Sequence, residues 1–332
     1  MGKMIYNKFF DKEIYTKVNE DNKYLLEDFL LELKQNKKSE GTIYQYKRDI
    51  MGVLCYIYKK LDNKNILNLT KRDFRNYSLY LTSECNLSSA RHNRLLSSMR
   101  SLLTFAENEE EYEYNNNLAK KVKGLPQESV REIFFLTDAQ ILKLKDELLE
   151  RKEYQKATLL MLAYDSAARK AELAMVNKAS FLNSERNNTN KVRGKRGKIF
   201  SLLYFSGTKE CVSLWLDQRG KDNIDGLWVM GKNERKRVAN KENLYGWIVS
   251  LRKILLEIEG KTIDFNVHTL RHSALENYSN GTHYVCRELN IDGFPVEKLR
   301  LLANHKDIST TQSYLKDKSL DELEEMFNIN LK

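Results

Sequence analysis

Four short segments hold the residue types best suited to gripping and transferring a phosphoryl group. Arg169 and Glu172 stand three apart in Ala168-Arg169-Lys170-Ala171-Glu172, directly after an apolar run. A guanidinium at the end of a buried element is costly without a partner, and Glu172 is placed to supply one; alone, the two read as an ordinary ion pair. Val192-Arg193-Gly194-Lys195-Arg196-Gly197-Lys198 sets two glycines among four cations, which lets backbone and charge approach a phosphate. A solvated basic turn has the same composition. In His268-Thr269-Leu270-Arg271-His272, His268 and Arg271 share a helical face, a bidentate fork beside a tunable donor. Leu301-Leu302-Ala303-Asn304-His305 leads into Ile308-Ser309-Thr310-Thr311-Gln312-Ser313-Tyr314, where Tyr314, one of 18 tyrosines, reads by itself as a packing residue.

The elements that must position these residues are mostly helices, since only two prolines, Pro126 and Pro295, interrupt the chain. The spacing predicts a helix over 23–36 with Tyr24, Leu25, Leu26, Phe29, Leu30 and Leu33 on one face. A second follows Thr42, through Ile43, Tyr46, Ile50, Val53, Leu54, Ile57 and Leu61. A third, capped by Thr70, carries Phe74, Tyr77, Leu79 and Leu81. A fourth, capped by Ser88, buries Leu95, Leu96, Met99, Leu102, Leu103 and Ala106. These four form one bundle over 23–117, after an extension over 1–22. Residues 118–136, with Gly124-Leu125-Pro126, read as a linker, and 137–332 as a second domain opened by a Thr137/Gln140 capping box. There, residues 154–165 form an apolar helix carrying Leu159–Ala163, Thr189–Arg193 pair with Ile199–Phe205 in a hairpin, and Thr208–Gln218 return to helix. A further capping box, Ser319 with Glu322, opens an amphipathic Leu320–Leu331.

The length suits two domains, and 41% apolar content is enough for real cores. A net charge of +10 favours a polyanionic partner. No run approaches the 18 or so apolar residues of a spanning helix, and the amino terminus lacks a signal-peptide core. Cys55, Cys85, Cys211 and Cys286 lie far apart without a Cys-x-x-Cys pair, which argues against zinc and for reduced thiols. The expectation is a cytoplasmic protein with no membrane partner.

Taken in order, AARKAEL, VRGKRGK, HTLRHS and LANHKDISTTQSYLK resemble the tyrosine recombinase (phage integrase) family, over about residues 20–325. The resemblance implies a mainly α protein: a helical core-binding bundle, then a mixed α/β catalytic domain, mostly helical with a small hairpin. It implies that Arg169 and Arg271 bind the scissile phosphate and stabilise the pentacoordinate transition state, with His268 and His305 adding hydrogen bonds. Lys195 would protonate the leaving 5′ oxygen, with Lys198 and Lys209 as rivals. Tyr314 would attack phosphorus and form a 3′-phosphotyrosyl link, while Glu172 and His272 orient the others. A phenol with pKa near 10 needs such a cationic pocket, which also replaces a metal; no cofactor and no ATP are expected, and the chain has no Walker-type loop.

The same resemblance implies double-stranded DNA carrying a specific site as the partner, a tetramer on DNA for strand exchange, and an optional accessory DNA-bending protein. Only about twenty residues precede the first core helix, so no separate arm-binding domain is expected. Arg91, Arg94 and Arg100 on the fourth helix, Arg193, Arg196 and Lys198 in the hairpin turn, and Arg235, Lys236 and Arg237 within 232–241 are candidate phosphate contacts. The amphipathic carboxy-terminal segment would dock on a neighbouring protomer. Ser166-Ala167 stands where the family often has Thr-Gly, and Asn304 where Gly commonly precedes the second histidine. The stretch between Arg271 and His305 is about ten residues longer than usual, so an extra turn or loop is expected around 280–295, touching DNA or a neighbouring subunit. The alternatives are a type IB topoisomerase-like relaxer and a catalytically silent DNA-binding protein.

Overall fold

The computed structural model describes residues 10–126, 134–183, 185–231 and 235–315, with Arg196 described in its backbone alone. The chain divides into two compact units near residue 130.

The amino-terminal unit comprises α1 (Lys12–Thr16), α2 (Glu20–Gln35), α3 (Glu40–Lys60), α4 (Lys71–Ser83) and α5 (Ser89–Asn108). Each start has a local cause. Asn19, Ser39, Thr70 and Ser88 accept backbone N–H bonds from the first turns of α2 to α5, satisfying donors the helices cannot. The buried faces are Leu25, Leu26, Phe29, Leu30 and Leu33 on α2, Phe74, Tyr77 and Leu81 on α4, and Leu95 to Ala106 on α5. Tyr24 and Leu79, expected among them, are each 63% exposed, because they project from the solvent side of their helices.

Two boundaries differ from expectation. Within the predicted extension, α1 packs on α3 and Val18 is buried. The first part of the predicted linker belongs to the bundle: Leu118–Lys121 form a 3-10 turn against α4 and α5, with Ala119 and Val122 buried. Arg100 fastens that turn, donating to the carbonyls of Ala119 at 3.1 Å and of Val122. A single turn is too short to show helical periodicity, so its two apolar residues gave no signal.

The second unit is built around α7 (Tyr154–Ser166), which is buried on every side from Ala157 onward. α6 (Asp138–Glu150), α9 (Ser206–Arg219), α10 (Lys241–Glu259) and α11 (Val267–Ser279) pack against it. β1 (Asn188–Arg193) and β2 (Ile199–Leu203) form the antiparallel hairpin, with Arg193 opposite Ile199. A second pair, β3 (Val229–Met230) and β4 (Arg237–Val238), was not anticipated; two-residue strands carry no alternation to read. α12 (Tyr284–Leu289), α13 (Val296–Leu302) and α14 (Ile308–Gln312) complete the described unit.

The long stretch after Arg271 folds inward rather than reaching out. His283, Tyr284, Val285 and Cys286 are buried, and its ends close on themselves at two glycines. Gly281 has φ +69° and Gly293 φ +132°; a Cβ on either would collide with the Asp292 or the Ser279 carbonyl respectively. The carboxy-terminal segment 320–331 and its capping box lie outside the described residues.

Candidate active site

Two left-handed bends and one buried arginine assemble the site. α7 ends in Ala167 at φ +48°, a region alanine enters at a cost of roughly 1–2 kcal/mol. The bend brings Arg169 to the start of the short helix α8 (Lys170–Leu173). Its backbone N–H donates to Glu172 Oε2 at 2.8 Å and its Nη1 to Glu172 Oε1 at 3.1 Å. Glu172 is buried while Arg169 keeps about a third of its side chain exposed. The second bend, at Asn304, has φ +53°, and asparagine tolerates it.

Arg271 joins the bends. It is 1% exposed on α11, and it donates to the Ala167 carbonyl, to the Ala303 carbonyl at 2.7 Å and to His305 Nε2 at 2.6 Å. An arginine cannot accept, so His305 Nε2 must, which leaves Nδ1–H to donate to Thr311 Oγ1 at 3.0 Å. Arg271 Nε is out of solvent with no partner in the protein. Burial, reinforced by Arg169, lowers the Arg271 pKa to about 10, so the guanidinium stays charged at neutral pH.

Tyr314 lies against this group. Its ring stacks on His272 at 4.3 Å between centroids, approaches His305 at 5.0 Å and His268 at 5.3 Å, and has the Arg271 guanidinium 5.2 Å from its centre. His272 Nδ1 donates to the Tyr314 carbonyl at 3.2 Å. His272 therefore touches the tyrosine directly, where an indirect orienting position was expected. Desolvation, then the cations Arg271, Arg169 and Lys198, lowers His305 to about 3. Desolvation, then His272, Arg271 and Arg169, lowers His268 to about 4. Both imidazoles are neutral at neutral pH.

An open cleft of roughly 460 Å3 adjoins the cluster, lined by Arg169, Lys195, Lys198, Arg300, His305 and Lys306 among others. Lys195 and Lys198 are exposed in the hairpin turn. Lys209 is not part of this lining: it lies on α9 with its Nζ on Asn187 Oδ1 at 2.9 Å. Arg300 and Lys306 had no place in the motif. The available signal was two cations within five residues of His305.

The other candidate contacts divide. Arg193, Arg235 and Arg237 are exposed, and the Arg196 side chain is outside the description. Lys236 bonds to Asp222 Oδ2 at 2.9 Å and the Arg219 carbonyl at 3.1 Å, closing a structural ion cluster. Arg100 is spent on the backbone of residues 119–122. Arg91 and Arg94 meet on the buried carboxylate of Asp49, at 2.7 and 3.3 Å; Arg94 keeps nearly half of its side chain in solvent. An arginine on the polar side of a helix shows its partner only when the neighbouring helix is in place.

Beneath the site lies a carboxyl the motifs never named. Asp165 is fully buried, accepting from Phe205 N at 2.9 Å, Thr208 Oγ1 at 2.6 Å and Tyr284 Oη at 2.6 Å. It ties the Arg169 bend to the end of the hairpin and to α12. Burial raises its pKa to about 6.

No helix among the described residues is long and apolar enough to cross a membrane, and those residues hold no cluster of three metal-ligating side chains. Comparison with known proteins gives concordant matches. Residues 135–320 match the phage integrase family profile, and residues 26–110 the phage integrase N-terminal SAM-like domain. The SPbeta prophage-derived recombinase-like protein YomM of Bacillus subtilis (strain 168) is 24% identical over 314 residues, 90% of this chain and 88% of that one. Among solved structures, a lambda integrase tetramer bound to a Holliday junction matches with a TM-score of 0.64 at 14% identity, over 89% of this chain and 77% of that one. The Tn1549 transposon integrase in complex with transposon right end DNA matches at 0.63 and 13% identity, over 92% and 99%.

Proposed function

The chain belongs to the phage integrase family of tyrosine recombinases, and from that premise we propose that it cuts and rejoins duplex DNA at a specific site through a 3′-phosphotyrosyl intermediate. The observation that carries the reading is the meeting of Tyr314 with Arg271, His268 and His305 around one point, beside a cleft lined by Arg169 and three lysines. A phenol otherwise serving only as packing has no need of so much positive charge.

In this reading the scissile phosphate takes the place His305 now holds on Arg271. One non-bridging oxygen accepts from Arg271, whose unpaired Nε gains an acceptor, and Arg169 grips the other. His268 donates to the same phosphate, and His305 does so once its Nε2 carries a proton, taken up with the phosphate or gained by a tautomer change in which the Thr311 hydroxyl donates to Nδ1. Charge on the pentacoordinate transition state is spread over donors already fixed by backbone carbonyls and by Glu172, so little reorganisation is needed. Tyr314 Oη attacks phosphorus, and Lys195 (or its neighbour Lys198) protonates the departing 5′ oxygen. The bond energy is kept in the phosphotyrosine, so rejoining needs no ATP, and the cationic pocket supplies what a divalent metal would. Exchange between two duplexes requires four active sites, hence a tetramer on DNA, with or without a DNA-bending partner.

Nicked suicide duplexes drawn from DNA flanking the gene, incubated with the protein in EDTA and run on a denaturing gel, test this. A covalent band is expected with the wild type and none with Tyr314→Phe. Tight binding of those duplexes without any adduct would overturn the catalytic reading in favour of a DNA-binding protein of the same fold. Recombination between two site-bearing duplexes separates a recombinase from a relaxer, which would unwind supercoils without exchanging partners.

A further inference from the structure

The cleft holds more positive charge than one phosphate requires. A phosphodiester carries a single negative charge, which Arg271 and Arg169 already face. Lys195, Lys198, Arg300 and Lys306 line the same space, with Asp307 the one carboxylate among the lining residues.

Arg300 differs from a surface cation in being held. Its Nη1 donates to the Lys306 carbonyl at 3.2 Å, and its own carbonyl accepts from the backbone N–H of His305 at 3.0 Å. The backbone of Arg300 is therefore fastened to His305, and its side chain to the residue that follows. Its Nε is shut off from solvent and has no acceptor in the protein. Among the described residues only one other arginine Nε is in that condition, and it is that of Arg271. A buried charged donor without a partner is unfavourable unless a ligand supplies an acceptor.

Building on the recombinase reading, we propose that Arg300 binds a second DNA phosphodiester, the one next to the scissile phosphate on the cleaved strand, so that the cleft seats two consecutive phosphates. The reacting phosphate is then fixed in register along the strand as well as gripped, and Arg300 is a substrate-positioning residue of the cleavage step.

The test uses the full chain and suicide duplexes with a single neutral methylphosphonate at the linkage on either side of the cleavage point. One of the two replacements is expected to slow wild-type adduct formation about tenfold, the scale of one charge-assisted hydrogen bond. Arg300→Gln slows cleavage of unmodified DNA by a similar factor, and adding that methylphosphonate to the variant slows it no further. Arg300→Lys recovers part of the rate on unmodified DNA only, which a folding defect would not produce. If the two effects multiply at both linkages, or Arg300→Gln cleaves at the wild-type rate, the proposal is overturned. If the wild type forms no adduct with any duplex, the recombinase reading fails by itself, and binding decides the second phosphate. Arg300→Gln should lower the slope of log Kd against log salt by about one; an unchanged slope overturns it.

Discussion

Replacing Arg271 by lysine keeps the charge and removes the fork. The guanidinium serves three acceptors at once, the carbonyls of Ala167 and Ala303 and Nε2 of His305. A lysine ammonium is a point donor on an unforked stem, and from the same Cα it can serve one of them well. Two buried acceptors are then left without partners at about 1–3 kcal/mol each, so roughly 3 kcal/mol of stability should be lost. For a unit of this size each kcal/mol moves the melting temperature by about 2–4 °C, and Arg271→Lys should melt about 10 °C below the wild type. The loss has a second face in catalysis. Both bends that present Arg169 and His305 lose their shared anchor, and adduct formation should fall about a hundredfold or more, the scale of one preorganised donor. A circular-dichroism melt with the suicide-duplex assay measures both. A variant melting within 2 °C of the wild type would refute the bridging argument, because a lost three-way bond cannot be silent in a residue 1% exposed.

Three further outcomes follow from the same geometry. Asp165 has a native pKa raised to about 6 by burial, so its contribution to stability is full below the unfolded value near 3.9 and is lost as pH rises through 6. Urea titrations of wild type and Asp165→Asn at pH 4.5 and 7.5 should therefore show the wild type losing about 2 kcal/mol relative to the variant across that interval; a constant difference contradicts a buried ionising carboxyl. His268 and His305 lie below their usual pKa in the DNA-free protein, so the stability they contribute is held above pH 6.5 and lost as pH falls toward 4 and 3. An arriving phosphate raises both, so binding takes up protons and tightens as pH falls from 6.5 toward 5. Calorimetry in two buffers of different ionisation enthalpy reads this directly, and zero uptake at pH 5.5 contradicts it. Ala167→Gly relieves a left-handed alanine and should stabilise the protein by about 0.5–1 kcal/mol after the entropic cost of glycine. Asn304→Gly should change little; equal effects at both bends would mean that the strain is not where the torsions place it.

The candidate residues were legible because they are residue types at fixed intervals along single elements. His268 and Arg271 lie one turn apart on α11, and the hairpin turn from Gly194 to Lys198 closes between strands whose register puts Arg193 opposite Ile199. The two missing family glycines were legible as departures but not as conformations. The structure makes both bends left-handed with Ala167 and Asn304 in them, a backbone torsion that neither residue type announces in the sequence. What stayed hidden depends on distant partners. Arg100 and Lys236 resemble free cations until the carbonyls of 119–122 and the Asp222 carboxylate are placed beside them. Asp165 has no periodicity to betray it, since its three donors come from residues 205, 208 and 284.

The closed neck at Gly281 and Gly293 bears on how such a protein can change. Gly281 and Gly293 come together so tightly that the excursion over residues 282–292 leaves and re-enters the fold at nearly one point. The path from Arg271 to His305 therefore does not depend on how much chain lies between the two glycines, and a lineage can acquire or shed that chain without moving either residue. Tyr284 breaks this independence by reaching Asp165 under the Arg169 bend. The loop between the two glycines is thus a strut of the site, and its loss would be felt first at Arg169.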